Sequence, residues 1–189
     1  MFTTFRGGNS GAWQIRSLSP VKGEALPPAA CLSVVQADAI SLPLIPSQTS
    51  WRLAGVTSHP RYVQRPEKTA LDARQAGLGR KEASRAALIP IRKSAAWWAL
   101  TQDERRTIFE EKSRHIAASL PYLPAIARQL YHSRDLGGAF DFITWFEYAP
   151  GNAPMFEDLV GTLRATEEWT FVEREVDVRL ERIELAPDM

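Results

Sequence analysis

Apolar and polar positions along the chain follow two periods, and the places where the period changes predict the elements. Ala12 to Leu18 and Cys31 to Gln36, rich in β-branched and large residues, read as short strands separated by the Pro/Gly-containing segment Pro20 to Pro28. Leu42 to Thr49 reads as a loop. Trp51 to Thr57 is a predicted strand, Pro66 to Gln75 a helix with a proline in its first turn, and Ala86 to Arg92 another strand. Together these three predict a β-α-β unit.

The second half carries clearer signals. Thr101-Gln102-Asp103-Glu104 is a capping box that starts a helix, in which Ile108, Phe109, Lys112, His115, Ile116 and Leu120 share one face. Pro121 and Pro124 end it. Ile126 to Ser133 and Phe140 to Tyr148 then read as a hairpin around Asp135-Leu136-Gly137-Gly138-Ala139. Parity puts Arg128, Leu130 and His132 on one face of the first strand and Phe142, Thr144, Phe146 and Tyr148 on one face of the second. Pro154 opens a helix with Phe156, Leu159, Val160 and Leu163 as its apolar stripe, and Trp169 to Ile183 reads as a long terminal strand. The order is β-α-β followed by α-β-β-α-β. It predicts an α+β sandwich with helices on one face of a sheet, and two ferredoxin-like halves would be needed to close it into a barrel.

Composition narrows the function classes. A chain of 189 residues can bury a core without disulfide or metal staples. With 23 Lys+Arg against 22 Asp+Glu and no basic run, a nucleic-acid partner is not expected. The mildly apolar stretch Ala25 to Pro46 is broken by Asp38 and by prolines, so no membrane span is expected. The single cysteine, Cys31, suits a reducing compartment, and Met1 to Ser10 lacks the apolar run of a secretory signal. The expectation is a cytoplasmic protein. Six tryptophans and eight phenylalanines are the compositional oddity; most would fill a core, although large rings also line pockets for planar cofactors.

Candidate chemistry is sparse. His59 lies in a turn-like stretch, His132 near the end of a strand, and His115 in an apolar helical stripe, where an imidazole is more often a satisfied core residue than a ligand. Zinc spacings such as H-x-x-x-H or C-x-x-C are missing. A lone histidine does suit haem iron, because the porphyrin supplies the other four donors and a carboxylate on the second ring nitrogen strengthens the ligand. Either Glu167 or Glu168 could be that carboxylate, or both could be solvated helix-end charges. Gly77-Leu78-Gly79-Arg80 reads as a helix stop, and no serine nucleophile elbow or distinct acid/base carboxylate pair stands out.

One ordered set of motifs goes further. Ile89-Pro90-Ile91-Arg92-Lys93-Ser94 through Trp97-Trp98, then Glu104-Arg105, His115, Arg128-Gln129-Leu130-Tyr131-His132-Ser133 and Asp141-Phe142-Ile143-Thr144-Trp145-Phe146-Glu147 resembles chlorite dismutase, from about Trp51 onward. The chain length resembles the compact dimeric branch of that family. The resemblance implies a ferredoxin-like, dimeric α+β barrel with a shortened N-terminal half, residues 1–98, and a haem-binding C-terminal half, residues 99–189.

It also implies roles. His115 would be the axial ligand of haem b iron, Glu168 the carboxylate that hydrogen-bonds it, and Arg128 the catalytic arginine, with Gln75 placed to hold it. Thr144 and Phe146 would form the wall beside Arg128, Trp97 and Trp98 the haem-side tryptophans, and Tyr62 and Lys93 neighbours of the propionates. The implied reaction converts the small anion chlorite to chloride and dioxygen with no net proton consumption, in a homodimer. The rivals are a coproheme decarboxylase of haem biosynthesis, whose members usually lack the arginine, a dye-decolorising peroxidase, a haem carrier or sensor, and a cofactor-free α+β dimer.

Overall fold

The computed structural model describes residues 2–37, 49–57 and 62–183, so the turn-like position of His59 and most of the Leu42 to Thr49 loop lie outside the described residues. Among the described residues there are eight strands: β1 (Phe2–Gly8), β2 (Trp13–Lys22), β3 (Cys31–Ala37), β4 (Thr49–Val56), β5 (Arg85–Lys93), β6 (Ile126–His132), β7 (Phe142–Tyr148) and β8 (Val172–Arg182). The helices are α1 (Arg65–Arg74), α2 (Ala95–Ala99), α3 (Gln102–Arg106), α4 (His115–Ser119), α5 (Ala153–Arg164) and α6 (Glu167–Thr170).

The strands close into an antiparallel barrel in the order β1-β3-β2-β8-β5-β7-β6-β4. Taken as two fours, β4-β1-β3-β2 and β8-β5-β7-β6, each half places its fourth strand first, then its first, third and second. That is the ferredoxin-like order twice over, and closure removes every sheet edge. The α+β barrel expected from the resemblance is therefore the observed fold. The predicted β-α-β unit is corrected, because β4 and β5 do not pair: β4 lies between β1 and β6, and β5 between β7 and β8. By its strand partners β5 stands with β6, β7 and β8.

The first half is short because its first crossover has been reduced to four residues, 9–12, that step over the tip of β3. Gly11 makes that step possible, since a Cβ there would overlap the Leu32 carbonyl group. Gly11→Ala is expected to cost about 2 kcal/mol through the forced backbone shift, seen as a melting midpoint roughly 4–8 °C lower by circular dichroism; an unchanged midpoint would show that the crossing has slack.

Strand parity divides the apolar residues between two compartments. Phe5, Trp13, Leu32, Ala86, Leu88, Trp145 and Val178 fill the barrel interior, where Trp13 meets Trp145 edge-on at 5.3 Å. Ala87, Ile89, Ile91, Phe146 and Tyr148 point outward and pack with Phe156, Leu159, Val160 and Leu163 of α5. The sheet is therefore a wall with a packed core on one side and a helical layer on the other.

Two predicted elements are broken. The capping box forms, with the Thr101 amide donating to Glu104 at 2.7 Å, but the helix does not run on to Leu120. It passes into a π-helical turn, Thr107–Lys112, and stops at Arg114, which sits in the left-handed region at φ 51 and ψ 37; α4 then starts afresh at His115. The terminal strand begins at Val172, because Glu167 to Thr170 coil into α6 first.

Candidate functional site

Between the outward face of the second-half sheet and the helices lies a cavity of about 430 Å³. The antiparallel register of the hairpin builds its floor: Arg128 pairs with Phe146, Leu130 with Thr144 and His132 with Phe142, so all six side chains stand on the face anticipated from parity. The helical layer closes the other side with His115, Phe109, Leu163 and Glu168, and α1 adds Lys68, Leu71 and Asp72 although none of its own residues is buried. Among the described residues no cluster of three His, Cys, Asp or Glu could hold a bare metal ion.

His115 Nδ1 lies 2.7 Å from Glu168 Oε2. Burial alone would raise the Glu168 carboxyl, but His115 and Lys93 beside it, with the hydrogen bonds both donate, outweigh it and hold the group down at about 2. Glu168 is therefore ionised at neutral pH and accepts the Nδ1 proton, which leaves the Nε2 lone pair for a ligand. The open choice between the two glutamates is closed by this contact, since Glu167 turns outward to Lys112 at 3.1 Å. Phe109 stacks on the imidazole at 4.5 Å and 21°, which fixes the ring plane.

Lys93 lies under the same pair. Its ammonium donates to Glu168 Oε1 at 2.8 Å and sits 4.5 Å from the Trp97 ring. Burial pushes its pKa down and the Glu168 carboxylate pulls against that shift. Lys93 lines the cavity, yet its charge is committed to Glu168 instead of being free for an incoming carboxylate.

Arg128 has the opposite situation. Among the described residues its guanidinium has no acidic partner, and burial pushes its pKa down to about 10, which still leaves it cationic at neutral pH. A half-buried cation with no acidic partner leaves an open place for an anion, and one entering the cavity would fill it. Gln75, at the end of α1, donates to the Arg128 backbone carbonyl at 2.9 Å, so it fixes that residue's main chain and not its guanidinium.

Two further donors are left over. The Tyr62 hydroxyl and the Trp97 indole N–H are buried, line the cavity, and have no partner among the described residues. Such orphans are rare in folded proteins and imply acceptors that arrive with a ligand. Trp98 is the one expected site residue that the cavity does not include. It stands behind the floor, stacked on Phe142 at 6.0 Å with its indole N–H donating to Asp141 at 3.2 Å.

Sequence reasoning had missed Glu110, Ser113 and Trp169. Glu110 accepts the amides of Ile116 and Ala117, and the Ser113 hydroxyl accepts the Glu168 amide at 3.0 Å. Trp169 lines the cavity and donates its indole N–H to Glu175 at 2.7 Å. A continuous helix through Ser113 hid the first two, and a strand starting at Trp169 hid the third.

The donor set suits haem. One imidazole with a free Nε2 backed by an ionised carboxylate is the protein's share of an iron site that needs four porphyrin nitrogens, and Tyr62 and Trp97 offer donors for carboxylate side arms. Comparison with known proteins gives the family. The chain is similar to a dimeric chlorite dismutase from Nitrobacter winogradskyi, at 66% identity over 96% of this chain and 99% of that one, with a TM-score of 0.89. The fold is also that of the chlorite dismutase of Candidatus Nitrospira defluvii solved with imidazole, at 23% identity over 95% and 90% of the two chains and a TM-score of 0.69. A chlorite dismutase from Ideonella dechloratans is 35% identical over 103 residues, which are 53% of this chain and about a third of that protein, 35% of its length. Since the family model of chlorite dismutase matches residues 46–182, the greater part of the chain and all of the cavity's sheet floor, the chain belongs to the chlorite dismutase family.

Proposed function

We propose that this protein is a haem b-dependent chlorite dismutase that converts chlorite to chloride and dioxygen and works as a homodimer. The observation that carries the reading is the unpaired Arg128 guanidinium in the same cavity as the His115–Glu168 pair. Haem, when bound, supplies the iron at which the chlorine–oxygen bonds break and dioxygen forms. His115 Nε2 would hold that iron, and Glu168, kept ionised beside Lys93, would increase the electron donation of the imidazole by accepting a hydrogen bond from its Nδ1–H. Tyr62 and Trp97, whose buried donors have no partner among the described residues, would donate to the propionates.

Arg128 does the work on the substrate. Its cation attracts chlorite into a cavity with largely apolar walls and retains anionic fragments until chloride leaves, while Thr144 and Phe146 limit the water around them. The overall change, ClO2⁻ to Cl⁻ and O2, balances without a proton, which fits a site in which His115 and Lys93 are both tied to Glu168 and no acid/base pair stands beside Arg128. A homodimer is supported by the dimeric relative at 66% identity, and the half-buried thiol of Cys31 supports a cytoplasmic setting.

An oxygen electrode tests the reading. Haem-loaded protein is expected to release one dioxygen per chlorite consumed; a loaded protein that releases none, and instead decarboxylates coproheme, would overturn it in favour of the biosynthetic rival.

A further inference from the structure

The helix that carries His115 has five residues and lacks an ordinary cap. Arg114, just before it, is left-handed and offers no side-chain acceptor. Instead the buried Glu110 carboxylate, from the π-helical turn on the other side of the break, accepts the Ile116 amide at 2.6 Å with one oxygen and the Ala117 amide at 3.2 Å with the other. Two amides that a helix start normally leaves orphaned thus end on one carboxylate, six and seven residues earlier in the chain. From the same segment, Ser113 Oγ accepts the Glu168 amide at 3.0 Å. Residues 110–117 therefore grip the main chain on both sides of the imidazole–carboxylate contact.

We infer that Glu110 is a positioning residue for His115: by closing the turn around Arg114 onto the start of α4, it holds Nδ1 against Glu168 and so keeps Nε2 for the cavity. A continuous helix would carry the ring along its own axis and make this reach unnecessary. The break gives His115 its own short helix, and Glu110 fixes where that helix starts. Only the consequence for haem rests on the proposed function; the Nδ1 contact belongs to the protein alone.

Histidine labelled with ¹⁵N separates the two, since the chain has three histidines and His115→Ala identifies the signal. In the apoprotein a far-downfield, slowly exchanging Nδ1 proton is expected for His115. Glu110→Ala should abolish it while the near-ultraviolet circular dichroism of the barrel tryptophans persists, and transfer of haem to apomyoglobin should be roughly tenfold faster or more. Glu110→Gln, which keeps one acceptor oxygen, should fall between wild type and Ala in both readouts and serves if the Ala variant does not fold. A wild-type resonance and transfer rate in either variant, or loss of the resonance only together with the tryptophan dichroism, would overturn the role. A wild type that shows the resonance but takes up no haem would remove the proposed function and leave the Glu110 assignment standing.

Discussion

His115→Ala is expected to give a folded protein that holds no haem under conditions that load the wild type, with affinity down at least roughly 100-fold. His115 is the cavity histidine on the helical side with a carboxylate on its Nδ1, and among the described residues no second histidine, cysteine or methionine lines that side to replace it. Folding should survive for two reasons. His115 belongs to the helical layer and not to the barrel interior, and Glu168 keeps Lys93 as its partner at 2.8 Å, so no buried charge is stranded. Soret absorbance titrated against haem, alongside far-ultraviolet circular dichroism, measures both. A variant that loads haem as tightly as wild type would remove His115 from its role.

The second large effect concerns Arg128. In Arg128→Ala haem should stay bound, while kcat/KM for chlorite falls roughly 10- to 100-fold and the enzyme inactivates after fewer turnovers. Arg128→Lys, which keeps the charge but loses the planar fork, should lie between the two. Stability should hardly move. Arg128 is half-buried and forms no ion pair among the described residues, so the melting midpoint of Arg128→Ala in the haem-free protein should stay close to that of wild type. Unchanged chlorite kinetics and turnover number would show that the guanidinium has no part in the reaction.

Much of this site could be read from the chain because its floor is a simple hairpin. Alternation over Ile126 to Tyr148 fixed which residues share a face, and the barrel added the pairing of Arg128 with Phe146 that makes the face continuous. The stripe of α5 was equally plain, since all four anticipated positions are buried. Three features were hidden for different physical reasons. Strand β1, Phe2–Gly8, contains two glycines and an arginine and gains its strand character from two neighbours, β3 and β4, that are distant in sequence. The partners of β5 are β7 and β8, both distant in sequence, and no local pattern encodes such pairings. The break at Arg114 disobeys local propensity, because the residues on both sides fit one helical face and the stop is imposed by Glu110 reaching across it.

Barrel core and cavity share the same strands, and neighbouring residues serve different compartments: Trp145 fills the barrel while Thr144 and Phe146 floor the cavity. Single substitutions can therefore retune the pocket without disturbing the foundation beneath it. Insertions and deletions have no such freedom. One residue added to or removed from β7 would turn Trp145 outward and Phe146 inward in a single step, exchanging wall and foundation together. Strand length in β5, β6 and β7 is thus far more constrained than composition on their outer face, and variation in this protein has room for new side chains where it has none for new spacing.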